Sequence, residues 1–136
     1  MNAIYHITTR SAWAMALPQG QYCHPSLQAE GFIHCARRDQ TIGVANALFR
    51  SRDDIIVLEI NPEKLKASLR DDCTASGEVF PHVYGAINTA AIENLIELNP
   101  ESDGTFSWPE LDQSVVNPSI YAVAAGSEGM FPSVLV

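Results

Sequence analysis

The sequence predicts an α+β domain in which short strands and short helices follow one another in mixed order. Three observations support this class. The 136 residues suffice for one domain with a hydrophobic core and are too few for two. Hydrophobic residues make up 46% and charged residues 18%, which excludes disorder as the main state. Glycine and proline interrupt the apolar segments, and no internal repeat is present, so the elements must be short.

The predicted strands are apolar segments bounded by turn residues. In order they are residues 3–7, 22–23, 32–35, 55–60, 80–84 and 91–98, with Leu69 in a further strand. Residues 55–60 form the clearest buried strand, and 91–98, which fits strand and helix templates alike, is favoured as its partner. The composition of residues 71–78 predicts a loop. Because proline cannot donate to a sheet ladder, Pro81 predicts an edge strand or a strand start.

The predicted helices have recognisable start or stop residues. Thr8 or Thr9 caps a helix over residues 11–17, which Pro18 and Gly20 end. Proline at the first position opens short helices at 25–29 and 62–65. A longer helix, capped by Asp39 or Thr41, runs to about Phe49 because its apolar residues recur at helical spacing.

The chain consists of two regions that differ in sequence character. Residues 1–112 are predicted to form a single domain, and residues 113–136 a C-terminal tail. The tail is rich in apolar residues. It can add a strand to a sheet edge, pack on a neighbouring molecule or remain mobile, so self-association into a homo-oligomer through the tail is one expectation.

Charge and composition narrow the partners and the compartment. Sixteen acidic residues against eight basic ones give a net charge of −8, which disfavours general binding to nucleic acid. No apolar run is long enough to span a membrane, and the N-terminus lacks a signal-peptide pattern. The three cysteines form no C-x-x-C pair, and we expect reduced thiols in the cytoplasm.

Four histidines are the main candidates for chemistry, and three of them lie among apolar neighbours in predicted strands. These are His6, His34 and His82; the fourth is His24. A single histidine in such a place is usually a hydrogen-bonded core residue, neutral because burial disfavours its charged form. Three together indicate a cleft lined from several strands.

Two other kinds of site are less consistent with the pattern. Cys23, His24, His34 and Cys35 have the atom types of a zinc site, but adjacent residues on a strand point to opposite faces. We therefore expect no metal. A nucleophilic cysteine would require Cys35 beside His6 or His82, and Cys35 is more typical of a small buried hydrophobe.

The remaining candidates have ordinary structural roles as alternatives. Glu78 precedes the FPHVYG segment and could stabilise a developing cation or act as a base, or be a solvated loop acid. Ser26 could donate to a ligand or cap its helix. Arg37 and Arg38 could hold a phosphate or lie at a solvated helix start. Aromatic residues that could stack on a flat ring, or pack in the core, are Trp13, Tyr22, Phe32 and Tyr84.

Three sequence blocks together resemble a known family. IYHITT at residues 4–9, SLQAEGFIHCA at 26–36 and FPHVYG at 80–85 are similar to the uncharacterised bacterial domain-of-unknown-function family 952. The resemblance covers about the first 100 residues and implies an ADP-ribosyltransferase-like fold, with short mixed strands in a split sheet and a few short helices. The blocks also resemble, more distantly, the RNA 2′-phosphotransferases, which use NAD.

The resemblance implies a set of site residues. His6 would bind a ribose hydroxyl, the backbone near Ile7 and Thr8 would hold the nicotinamide amide, and His34 would contact the ribose or the phosphate bridge. His82 and Tyr84 would line the acceptor side. The catalytic candidates are thus His6, His34, His82 and Glu78, and the cofactor-binding candidates are Thr8, Ser26, Phe32 and Tyr84.

Two functional hypotheses follow. The first is an NAD-using ADP-ribosyl transferase or glycohydrolase, with NAD as substrate. The second is a non-catalytic module on the same fold that binds a nucleotide-like ligand or a protein. Ile7 and Ala36, which stand where we expect glycine and serine, favour the second, as does the lack of the basic residues with which the phosphotransferases grip RNA.

Overall fold

The computed structural model describes residues 2–109 and 115–116. Its strands are β1 (Ile4–Thr9), β2 (Gln21–Tyr22), β3 (Ile33–His34), β4 (Ile55–Ile60), β5 (Ser68–Cys73), β6 (Val79–Tyr84), β7 (Ile87–Asn88), β8 (Ile92–Leu98) and β9 (Val115–Val116). Its α-helices are α1 (Arg10–Ala16), α2 (Pro25–Glu30) and α3 (Arg38–Leu48), and 3₁₀ turns occupy Leu17–Gln19, Pro62–Lys64 and Thr89–Ala91. The predicted α+β class is confirmed.

The strands form three antiparallel sheets. A four-stranded sheet has the order β1-β4-β8-β9, a three-stranded sheet has the order β3-β6-β5, and β2 pairs with β7. In the larger sheet Leu58 lies opposite both His6 and Leu95. The predicted pairing of the strand at 55–60 with the strand at 91–98 is therefore confirmed.

Strand β4 is buried on both faces, as its apolar run from Ile55 to Leu58 predicts. Ile56, Leu58 and Ile60 contribute to one hydrophobic cluster, which also contains Trp13, Ile33 and Val83. Ile55 and Val57 contribute to a second cluster, which contains Ala45 of α3 and Phe106. The first cluster joins the four-stranded sheet to the three-stranded sheet, while the second joins the four-stranded sheet to α3.

Alternation along β6 leaves the other face of the three-stranded sheet for polar chemistry. Val83 belongs to the first cluster, so Phe80, His82 and Tyr84 project to the opposite face. On the neighbouring strands His34 and Arg70 are the register partners of His82. The sequence thus builds a sheet with one apolar face and one face of aromatic, imidazole and charged groups.

Three local predictions were wrong. Pro81 lies in the central strand of its sheet and not at an edge or a strand start. Its carbonyl accepts from Cys35 N–H at 3.1 Å, just after β3 has ended. The amide N–H that proline lacks would therefore point to the place where the hydrogen bonds between β3 and β6 stop. Residues 71–73 belong to β5 and not to a loop, because a strand with one open face tolerates acidic residues. Helix α3 starts at Arg38, where the Gln40 side chain accepts from Arg37 N–H at 2.9 Å.

Little of the predicted tail lies within the described residues. The boundary at 112 falls outside them, and of 113–136 only Val115 and Val116 are described; their backbone pairs with Leu95 and Ile96 at the edge of the larger sheet. Self-association through the tail stays a prediction. In the part of the chain that the structure describes, no helix combines the length and the apolar character needed to cross a membrane.

Candidate functional site

A cleft of about 820 Å³ opens on the polar face of the three-stranded sheet. Four imidazoles line it, together with aromatic rings and two carboxylates. The imidazoles are those of His6, His24, His34 and His82; the rings are those of Tyr5, Phe32, Phe49, Phe80 and Tyr84; the carboxylates are those of Glu30 and Asp72. We call this site the histidine cleft. It has the size of a small-molecule site in an enzyme or a binding protein, typically about 300–1,000 Å³.

Five of the eight candidate residues line the histidine cleft: His6, His34, His82, Phe32 and Tyr84. Three do not. Thr8 is buried beside Tyr22, and Ser26 is buried with its hydroxyl donated to the Phe32 carbonyl at 2.8 Å. Glu78 is exposed and accepts from Gln40 Nε2 at 3.2 Å, outside the lining. The carboxylates in the cleft are instead those of Glu30 and of Asp72, which the sequence assigned to a loop.

His6 is held at the base of the histidine cleft because both of its ring nitrogens take part in hydrogen bonds. Its Nδ1 lies 2.6 Å from the His34 carbonyl oxygen, and its Nε2 lies 2.8 Å from Tyr22 Oη. Burial lowers the pKa of His6 to about 4, so the ring is neutral near pH 7. A carbonyl only accepts, so Nδ1 carries the proton and Nε2 accepts from the Tyr22 hydroxyl.

Tyr22 connects His6 to a second buried hydroxyl. Its oxygen also lies 2.8 Å from Thr8 Oγ1. The Tyr22 hydroxyl is the donor in this contact as well, so its proton is shared between His6 Nε2 and Thr8 Oγ1. Burial raises the pKa of Tyr22 to about 12, which keeps the phenol protonated. The chain from Thr8 through Tyr22 to His6 therefore orients the imidazole and uses both of its nitrogens internally.

His82 forms the second organised group, with Asp72 and Tyr84. The Nδ1 of His82 lies 2.9 Å from Asp72 Oδ2, and the Tyr84 hydroxyl donates to the same oxygen. The hydrogen bond from Tyr84, followed by the one from His82, lowers the pKa of Asp72 below its ordinary value. The same contact with Asp72 raises the pKa of Tyr84. Asp72 is therefore a carboxylate that holds the proton of His82 on Nδ1.

His34 lies beside His82 and pairs with another carboxylate. Its Nε2 is 3.0 Å from Glu30 Oε2 at the end of α2, and its ring centroid is 5.1 Å from that of His82. Phe32 stacks on His82 with centroids 4.0 Å apart and planes 13° apart. The predicted alternation, with Phe32 and His34 on one face, is what brings these rings together.

His24 is a lining residue that the list of site candidates omitted. The Ser26 amide donates to its Nδ1 at 3.0 Å, so in the neutral ring the proton lies on Nε2. Burial is the largest cause of its lowered pKa. His24 is the N-cap of α2, which has Pro25 at its first position, and this pattern in the sequence could have indicated its place at the start of a helix.

The described residues of the cleft do not have the features of a zinc site or of a nucleophilic cysteine. The described residues contain no group of three or more His, Cys, Asp and Glu side chains placed to hold a metal ion. Cys35 lines the cleft but is 5% exposed, and burial raises the pKa of its thiol well above the usual range. A buried thiol of this kind is a poor nucleophile.

The cleft combines negatively charged side chains with aromatic rings. Among the described residues that line it, Glu30 and Asp72 carry charge and no Arg or Lys is present. The guanidinium of Arg70 lies 4.3 Å from the centre of the Tyr84 ring, and Arg70 itself is not a lining residue. Such a cleft favours a flat ligand group that carries positive charge.

Comparison with known proteins identifies the family. A family model described as a protein of unknown function, DUF952, matches residues 7–95. The chain belongs to this family. The match includes the segments that supply His24, His34 and His82, and the DUF952 resemblance in the sequence is thereby confirmed.

Solved structures show the same fold in one relative. The crystal structure of protein CC0527 from Caulobacter crescentus has a TM-score of 0.72 and 27% sequence identity, and covers 78% of this chain and 94% of CC0527. The solution NMR structure of CC0527 has a TM-score of 0.68 and 28% identity, and covers 77% of this chain and 91% of CC0527. No curated protein matches the sequence.

Proposed function

We propose that the histidine cleft binds an oxidised nicotinamide nucleotide of the NAD type, and that this DUF952 protein uses it to transfer ADP-ribose or to cleave the nicotinamide–ribose bond. The proposal includes an ADP-ribosyltransferase-like arrangement of the small antiparallel sheets. One observation carries it: aromatic rings and two carboxylates line the cleft, with no Arg or Lys among its described lining residues.

The charge of the nicotinamide ring explains why this lining supports the proposal. In the oxidised nucleotide the ring is a flat pyridinium cation. Phe32 already stacks on His82, and Arg70 lies over Tyr84, so a cation in the cleft would use the other faces of these rings. Glu30 and Asp72 offer negative charge in the same cleft. The reduced ring is neutral and loses both attractions. The lining therefore suits the oxidised nucleotide better than the reduced one.

The same groups suit the bond-breaking step. When the nicotinamide–ribose bond breaks, positive charge moves from the nicotinamide ring to the ribose, so a carboxylate already in place stabilises the developing oxocarbenium ion. Asp72 takes the role that Glu78 was expected to have, because Asp72 lines the cleft and Glu78 does not. The cleft must also hold the ribose and the nicotinamide amide in the orientation in which the bond between them breaks.

Comparison of oxidised and reduced NAD tests the proposal. Isothermal titration calorimetry should show the oxidised form binding at least about tenfold more tightly than the reduced form, a difference of about 1.4 kcal/mol. Phe32→Leu should weaken the binding of the oxidised form and reduce this preference, since leucine keeps the apolar contact and loses the aromatic face. Met15→Leu, at an exposed residue outside the cleft lining, is the matched control. Equal affinity for the two forms, or none for either, would contradict the proposal.

A specific observation favours a second candidate, a non-catalytic module that binds the same class of ligand. Both ring nitrogens of His6 are engaged with protein groups, and the residue that lines the cleft where the resemblance expects a glycine is Ile7. Prolonged incubation of the protein with oxidised NAD distinguishes the two. Steady release of nicotinamide supports the enzyme, whereas bound and unconsumed NAD supports the module.

A further inference from the structure

We propose that His82 is the general base of the histidine cleft, that Asp72 positions it, and that the group it activates is a hydroxyl. This inference rests on the proposed function and extends it, because it names the chemical class of the ADP-ribose acceptor. Water and alcohols belong to this class. In the activation of the hydroxyl Asp72 is a positioning residue, since it acts there through the His82 ring; its attraction for the cationic ring is a separate role.

The first step is the tautomer of His82. A carboxylate only accepts hydrogen bonds, so the contact of 2.9 Å between Asp72 Oδ2 and Nδ1 places the ring proton on Nδ1. The lone pair of the neutral ring is then on Nε2. Asp72 also accepts from Tyr84, which holds the carboxylate against the imidazole from a second direction. The orientation of the His82 ring is thus set by two hydrogen bonds.

The second step is the access of Nε2 to the cleft. No described residue forms a hydrogen bond with this atom. Within the described residues the one buried side-chain nitrogen or oxygen without a partner is Trp13 Nε1, so Nε2 of His82 is not sealed in the protein. His82 lines the cleft, although it is 5% exposed overall. Its lone pair is therefore open to a ligand on an otherwise enclosed ring.

The other three imidazoles of the cleft lack an enclosed ring with an open lone pair. His6 has both nitrogens engaged and cannot serve as a base without breaking its contact with Tyr22. His24 directs a proton, not a lone pair, from its Nε2, because Nδ1 accepts from the Ser26 amide. His34 is paired with Glu30 on an exposed part of the surface. His82 alone among these four combines an enclosed ring, a carboxylate on Nδ1 and an open Nε2.

The reaction balances with these groups. The bond between ribose C1′ and the nicotinamide nitrogen breaks, and its electron pair leaves with neutral nicotinamide. The acceptor oxygen forms the new bond to C1′ and its proton moves to His82 Nε2, which gives an imidazolium ion stabilised by Asp72. The proton then passes to solvent. One NAD and one hydroxyl compound thus yield one ADP-ribosyl ether or ADP-ribose, one nicotinamide and one proton.

Labelling with diethyl pyrocarbonate tests the open lone pair without any nucleotide. This reagent acylates an accessible unprotonated imidazole nitrogen, and mass spectrometry of peptides locates the label. We expect His82 to be labelled at least about tenfold faster than His6, which is the internal control. Asp72→Asn should slow the labelling of His82 several-fold. Asp71→Asn is the same change one residue earlier on β5. Because Asp71 pairs with Arg37 and not with His82, this variant should leave the labelling rate of His82 unchanged. Labelling of His82 as slow as that of His6 would overturn the proposal.

Turnover tests the catalytic role. At saturating oxidised NAD, His82→Asn and Asp72→Asn should each reduce nicotinamide release by about 100-fold or more. The dissociation constant for NAD should change less than threefold in His82→Asn and should rise in Asp72→Asn, which also loses a carboxylate of the cleft lining. Added methanol should divert ADP-ribose to its methyl glycoside. Release at the wild-type rate in both variants would overturn the proposal. Absence of NAD binding in the wild type would instead defeat the proposed function, and the labelling result would still judge His82.

Discussion

Strands β4 and β6 are six residues long and central in their sheets, yet they differ in what they bury. In β4 five residues are buried, and they contribute to hydrophobic clusters on both faces. In β6 the buried residues are Pro81, His82 and Val83, and the face that carries His82 lines the histidine cleft. Among the described residues, half of the buried hydrophobic side chains lie in the four-stranded sheet, whereas the candidate chemistry lies on the open face of the three-stranded sheet.

His6 belongs to both regions and connects them. It lies on β1, opposite Leu58, and its ring reaches the base of the histidine cleft. The buried hydrogen bonds to the His34 carbonyl and to Tyr22 compensate for the loss of water around the imidazole. The boundary between core and cleft is thus formed by polar groups that are fully paired.

The largest effect is expected from a cavity in the four-stranded sheet. Leu58→Ala removes a fully buried side chain and should lower the free energy of unfolding by about 3–4 kcal/mol, measured by urea denaturation. Leu48→Ala is the matched control, because Leu48 is 70% exposed on the cleft side of α3, and a change within about 0.5 kcal/mol is expected. Similar losses in both variants would show that the contrast between the two regions is wrong.

The next effect is a loss of stability in acid that originates at His6. The unfolded chain takes up a proton near the ordinary pKa of 6.5, whereas the folded ring stays neutral down to about 4. This contribution to stability is complete above pH 6.5 and decreases as the pH falls toward 4, by up to about 3 kcal/mol. Urea denaturation from pH 7 to pH 4 should show a shallower decrease for His6→Asn than for the wild type.

A direct titration separates this effect from that of the carboxylates, which also lose stabilising contacts in acid. The ring signals of His6, followed by NMR in the folded wild-type protein, should show no protonation above about pH 5. A midpoint near 6.5 would contradict the buried, neutral state. This measurement remains informative even if His6→Asn does not fold.

A smaller effect is expected at the hydrogen bonds that join the core to the cleft. Tyr22→Phe leaves the buried Nε2 of His6 and the buried hydroxyl of Thr8 without their shared partner, and should cost about 2 kcal/mol in urea denaturation. Tyr84→Phe removes one phenol hydroxyl as well, but its partner Asp72 is half-buried and water can replace the contact. We expect a smaller loss there. The reverse order would contradict the assignment of His6 to the core.

The pairing of β4 with β8 in the larger sheet could be predicted from the sequence, and part of the cleft could be too. The run from Ile55 to Ile60 has no polar break before Glu59, so burial on both faces was evident. The alternation of Phe32 with His34 correctly placed both side chains on one face, and His82 lies on the strand that pairs beside them. Periodicity alone was sufficient for these predictions.

The carboxylates of the site could not be predicted in this way. Asp72 lies in a polar segment that has the composition of a loop, and it becomes a strand residue through pairing with β6. Glu30 is one of several exposed acids, and only the position of α2 brings it to His34. Glu78 has the better sequence context, and the loop that carries it directs it toward Gln40.

The sequence by itself determined the α+β class, the family, the buried strand at the centre of the larger sheet and the histidines as candidate site residues, because these depend on composition, alternation and residue identity. The tertiary structure decided which nitrogen of each imidazole is engaged and which carboxylate meets it. Those outcomes depend on contacts between strands that are distant along the chain. Hydrogen bonding acts over about 3 Å, so sheet pairing, and not sequence spacing, selects its partners.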